Sequence, residues 1–165
     1  MSPVDEPRTV EHPGPLLPGG PRFTVDLPDG WTAEPAPRAL AVLRPVAAPS
    51  TGVANLTVTA DLVPVGTTAA AVLEAMLAQY PGQVARPEGG EDPGRARADL
   101  TRHHEGSPVE QRVDVQLDLP ELPGGLRHAL TVVSTWSTTT STDLREALAH
   151  AHTTVRLGTV EPVQA

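Results

Sequence analysis

The stretch Val109-Glu110-Gln111-Arg112-Val113-Asp114-Val115-Gln116-Leu117-Asp118-Leu119 decides the class of the fold. Successive side chains of a strand point to opposite faces. Val113, Val115, Leu117 and Leu119 therefore share one side, and Glu110, Arg112, Asp114, Gln116 and Asp118 share the other. A strand with one wet face belongs to an antiparallel sheet, because parallel strands are covered on both sides and read as unbroken apolar runs. Pro120-Glu121-Leu122-Pro123-Gly124-Gly125 is a connector of hairpin length. Leu126 to Thr138, a long β-branched run, is the strand predicted to pair with this one.

The same period recurs toward the N-terminus. Phe23, Val25 and Leu27 alternate with Thr24 and Asp26, and Pro28-Asp29-Gly30 then turns the chain and leaves Trp31 at the edge of the core. Ala39 to Leu43 suits a strand that ends at Pro45. Asn55 to Leu62 places Leu56, Val58, Ala60 and Leu62 on one face. A short strand is predicted between Gly82 and Pro87. Another carries Ala96, Ala98 and Leu100 toward His104, where Gly106 turns it.

Twice the rhythm becomes helical. Val72, Leu73, Met76, Leu77 and Tyr80 form one stripe after the candidate cap Thr67, and Pro81-Gly82 ends it. Leu144, Ala147, Leu148, Ala151 and Val155 form the second stripe. Ser141 and Asp143 can each cap it, with Glu146 in capping-box register to Asp143. The predicted fold is α+β, a single antiparallel β-sheet flanked by two main helices over residues 21–158. Residues 1–20 are rich in Pro, Gly and charge without an apolar period and are expected to form a disordered tail, with a second tail at 159–165.

Composition narrows the function. Of 165 residues, Phe and Tyr occur once each and Trp twice, so the core must be aliphatic and each large aromatic marks a position. The formal charge is −8, and all twelve basic residues are Arg interleaved with Asp and Glu, which argues against a nucleic-acid partner that would need a basic stripe. Without cysteine there is no disulfide, thiolate nucleophile or Cys-based zinc site. The N-terminal residues lack a basic and apolar signal pattern, and no stretch reaches the ~18 apolar residues of a membrane span. A cytoplasmic protein is expected.

Histidines are the first candidates for chemistry, and their spacing argues against them. His103 and His104 would point to opposite faces of a strand, and His150 and His152 diverge around a helix. A metal site assembled from His104, His128 and a carboxylate such as Glu105 would need three or four converging ligands. No G-x-S-x-G elbow is present, and Gly89-Gly90 and Gly124-Gly125 lack what a phosphate-binding loop requires. Asp114 and Asp118 lie on the wet face of one strand, where solubility accounts for them. The Thr-rich segment Thr135 to Thr142 can line a polar groove with Trp136 as a stacking surface, although β propensity and core packing account for both more simply. Catalytic, metal and cofactor sites are all expected to be absent.

The order strands, helix, strands, helix, together with Phe23-Thr24-Val25-Asp26-Leu27-Pro28-Asp29-Gly30-Trp31 and Asn55-Leu56-Thr57-Val58-Thr59 running into Val65-Gly66-Thr67-Thr68, resembles the PsbP/Mog-like fold. Within it, the chain is most similar to the actinobacterial LpqN/LpqT-type lipoproteins over Arg22 to Gly158. It departs from them in carrying neither a signal peptide nor an acylated Cys, so an envelope location does not transfer. The resemblance implies an α/β/α sandwich that acts without catalysis, binding an unknown protein partner or assembling a complex. The alternatives are a histidine-dependent, metal-assisted hydrolase and an accessory subunit of a larger complex.

Overall fold

The structure, a computed structural model, describes residues 21–79, 84–88, 90–117 and 121–157. In chain order the elements are β1 (Phe23–Thr24), β2 (Trp31–Ala36), β3 (Ala39–Pro45), β4 (Ala54–Pro64), α1 (Ala69–Ala78), β5 (Val84–Glu88), β6 (Arg95–His104), β7 (Ser107–Gln116), β8 (Leu126–Ser137), α2 (Thr142–Thr154) and β9 (Arg156–Leu157). Among the described residues, seven strands form one sheet in the order β2-β3-β4-β8-β7-β6-β5, and β1 and β9 form a separate pair. All pairings are antiparallel, including the predicted hairpin of β7 with β8.

Register fixes which face each helix covers. Leu56, Val58, Leu130 and Val132 share a face with Leu43 and Trp31 and pack against Leu148 and Ala151 of α2. Ala98, Leu100, Val113 and Val115 lie on the opposite face and pack against Ala69 and Leu73 of α1. The two helices thus sit on opposite sides of the sheet and toward opposite ends of the strand order. Each covers half of one face, giving the expected α/β/α sandwich.

Charge reinforces this register. Arg97 and Asp99 of β6 stand opposite Asp114 and Arg112 of β7, and both cross-strand ion pairs form, at 2.7 Å and 2.9 Å. A slip of two residues keeps the same faces but sets Arg97 against Arg112 in one direction, or Asp99 against Asp114 in the other. Like charges directly opposite are destabilising by a few tenths to about 1 kcal/mol per pair, so the pattern opposes both slips.

Several boundaries differ from expectation. The run from Phe23 to Leu27 is a strand over two residues only, because its partner β9 offers no more; Val25 still packs on the α2-side core, while Leu27 is exposed. Trp31 is buried as predicted but opens a further strand, β2, whose Glu34-Pro35 irregularity hides the alternation. The cap of α1 is Thr68 rather than Thr67, its hydroxyl accepting from the Ala71 amide at 3.1 Å. Ser141 caps α2 and Asp143 lies in its first turn. Leu62, predicted inward, is exposed. The eleven-residue β4 spans about 36 Å while the thirteen-residue α2 spans about 20 Å, so the strand outruns its cover. The predicted tails, Tyr80, Pro81-Gly82, Asp118 and Leu119 lie outside the described residues.

The Thr-rich segment acts as a latch at the start of α2. Thr140 Oγ1 donates to the Val53 carbonyl at 2.6 Å and accepts from the Ser137 amide at 3.0 Å, while Thr51 Oγ1 donates to the Thr139 carbonyl at 2.8 Å. Gly52 makes this approach possible. Its φ is +74°, and a Cβ there would lie 2.6 Å from the Thr140 amide nitrogen. Gly52→Ala is expected to cost about 2 kcal/mol or more, read as a lowered urea midpoint; an unchanged midpoint would show that the latch gives way freely.

Candidate functional site

The central feature is a buried chain of polar groups beneath α2. His152 lies four residues after Leu148, so the helical period turns it to the sheet with the apolar stripe, whereas His150 is exposed. The sheet face below presents Ser134 on β8 and Asp114 on β7. Ser134 Oγ lies 2.5 Å from His152 Nδ1, and His152 Nε2 is hydrogen-bonded to Asp114 Oδ2. The other Asp114 oxygen accepts from Arg97 Nε at 2.7 Å.

A carboxylate can only accept, so His152 Nε2 donates to Asp114; Nδ1 accepts from the Ser134 hydroxyl when the ring is neutral and donates to Ser134 Oγ when it is charged. Burial alone would push the Asp114 carboxyl up. Hydrogen bonds and charge from His152 and Arg97 outweigh this and hold it below the usual carboxylate range. On the same face, Asp99 holds the Arg112 guanidinium above its ordinary value through their hydrogen bond, against the opposing effect of burial.

Beside this chain a cleft of about 250 Å³ opens between α2 and strands β7 and β8. From the helix, Arg145, Leu148, Ala149, His152 and Thr153 line it, at the spacing of one helix face; from the sheet, Arg112, Ser134 and Trp136 do. Trp136 is half-buried, and its indole N–H donates to Glu110 at 3.1 Å. The aromatic that composition alone assigned to the core thus reaches a cleft wall.

The expected solvated role of Asp114 is corrected by these contacts, since its partners reach it from a neighbouring strand and from a helix distant in sequence. The divergence of His150 from His152 holds. His104 and His128 do not converge. His104 ends β6 beside the start of β7 and points to the α1 face, whereas His128 is the third residue of β8, opposite Leu62 on the α2 face. Among the described residues no group of three or more His, Asp or Glu can hold a metal ion. Sequence reasoning missed Ser134 and set His152 aside as one of a divergent pair, although two signals were present: a Ser in the inward stripe Leu130, Val132, Ser134, and a His at the helical period of Leu144 and Leu148.

The fold and the cleft together define the class: a three-layer α+β domain, one antiparallel sheet between two helices, with a lined cleft under the second helix. Among solved structures it is similar to the crystal structure of LpqN, involved in cell envelope biogenesis of Mycobacterium tuberculosis, at a TM-score of 0.58 and 15% identity over 90% of this chain and 88% of that one. The chain therefore has the fold of LpqN, as the Phe23–Trp31 and Asn55–Thr68 segments implied. It matches no protein-family model and no curated protein sequence. No helix among the described residues is long and apolar enough to cross a membrane.

Asp114 gives the site a pH signature. Its folded pKa lies below the unfolded value of about 4. The stabilisation is therefore complete above pH 4 and is lost as pH falls through the lower folded value. Urea midpoints from pH 7 to pH 2 should show Asp114→Asn less stable than wild type above pH 4 and the two converging below it. A gap that stays constant down to pH 2 would contradict this assignment.

Proposed function

We propose that this chain is a non-catalytic binding module whose ligand site is the cleft between α2 and strands β7 and β8. The observation that carries this reading is the composition of its wall. Apolar surface from Trp136, Leu148 and Ala149 meets a few convergent polar groups from Arg112, Ser134, Arg145 and His152, the usual make-up of a small-molecule pocket. The domain shares its fold with LpqN, a protein involved in cell envelope biogenesis, and a protein partner of unspecified identity would engage the rest of the domain. Protein-observed NMR with a small-fragment library tests the site. Fragments should shift the Trp136 indole resonance, and Ala149→Trp, which fills the cleft from an exposed helix position, should abolish the shifts. Shifts confined to another surface, or none at all, would refute the reading.

One observation favours a second reading. Ser134, His152 and Asp114 form a hydroxyl–imidazole–carboxylate series, the group types that activate a serine for acyl transfer, with the two ring nitrogens exchanged relative to the usual triad. Against it, Ser134 lies mid-strand with Leu56 and Arg112 as its register partners on either side. Its backbone is committed to the sheet, and no strained elbow presents the hydroxyl. Incubation with a fluorophosphonate followed by intact mass measurement is expected to give no adduct. A stoichiometric adduct lost in Ser134→Ala would replace the binding reading with a hydrolytic one.

A further inference from the structure

Several clefts open among the described residues. The groove on the α1 face, between Asn55, Thr57, Arg102, His104, Gln111 and Thr135, holds a single guanidinium, and Arg102 is already engaged. The surface of β6 and β7 around Glu88, Arg97 and Asp114 is internally neutralised by its ion pairs. The cleft under α2 differs from both, because two guanidinium groups from different elements line it.

The two arginines of its wall come from different elements, Arg112 from the sheet and Arg145 from the helix, and no carboxylate among the described residues lines it. In a chain of formal charge −8 this runs against the average. The nearby carboxylates are already engaged: Asp99 with Arg112, Asp114 with Arg97 and His152, and Glu110 with the Trp136 indole. Asp99 takes Nε and Nη2 of Arg112, which leaves Nη1 available. The Arg145 side chain has no ion-pair or hydrogen-bond partner among the described residues. Guanidinium groups recognise carboxylates by paired N–H donors in a fixed fork.

Size and shape set the remainder of the ligand. An apolar cavity of about 150 Å³ holds benzene, so about 250 Å³ admits one ring with a short chain. Trp136, Leu148 and Ala149 supply the apolar contact, and an indole favours an aromatic face against it.

We infer that the cleft binds a small organic monocarboxylate with a compact aromatic or aliphatic body, its carboxylate held by Arg145 and Arg112. This rests on the reading of the cleft as the binding site and adds the chemistry of its occupant.

Calorimetric titration of the full chain with 3-phenylpropionate, the matched neutral 3-phenylpropan-1-ol and inorganic phosphate tests it. Charge-assisted hydrogen bonds should favour the carboxylate over the alcohol by about ten-fold or more, with phosphate weaker than the carboxylate. Arg145→Gln, an exposed helix substitution, should bring carboxylate and alcohol within about three-fold of each other, since the preference rests on this contact. Arg112→Met should do the same, with a urea midpoint checking that it folds. Equal binding of acid and alcohol to the wild type would overturn the inference and leave the cleft reading standing. So would phosphate binding as tightly as the acid, or a preference that survives both substitutions. Binding of neither organic probe would overturn both.

Discussion

Strand β8 has no wet face, and most of the architecture follows from that constraint. It sits between β4 and β7, and residues from Ala129 to Ser137 are buried on both sides of the sheet, Val133 and Trp136 only in part. One helix can cover only one face. Two are needed, and they settle diagonally, α2 over β4 and β8 and α1 toward β6 and β7. Each face of the sheet is therefore half apolar and covered, half polar and open.

The cleft lies where the covered half of the α2 face gives way to the open half. On one side stand Leu148 and Ala151 over an aliphatic core, on the other the ion pairs of β6 and β7. His152 spans the boundary. It packs under the helix with the apolar stripe, yet its two nitrogens reach Ser134 and Asp114. Removing either partner would leave a buried polar group without compensation, a cost of about 1–3 kcal/mol. The network thus ties α2 to the sheet and holds one wall of the cleft whatever occupies it. Arg97 extends the tie to β6 through the far oxygen of Asp114.

Rigidity at the start of α2 serves the same end. The latch between Thr51, Val53 and the Thr139-Thr140 turn joins the β3–β4 connection to the chain just before the Ser141 cap. Arg145, four residues into the helix, is thereby placed over the sheet by groups outside the cleft. A site built between a helix and a sheet holds its geometry only if both walls are fixed from behind, and here the latch and the His152 chain do so at opposite ends of α2.

The alternation of Val113, Val115 and Leu117 with Arg112, Asp114 and Gln116 was enough to determine an antiparallel sheet. The stripes through Val72 and Leu148 were enough to determine two helices, because local periodicity depends only on which side chains avoid water. The diagonal placement of those helices lay beyond local pattern, since it depends on strand order, and strand order is a long-range property. The same limit explains the site. Asp114 read as a solvated carboxylate, Ser134 as a strand residue and His152 as one of a divergent pair, and each description was correct within its own element. Only the meeting of β7, β8 and α2 on one face turns the three into a single buried network and sets Arg112 and Arg145 on the walls of one cleft.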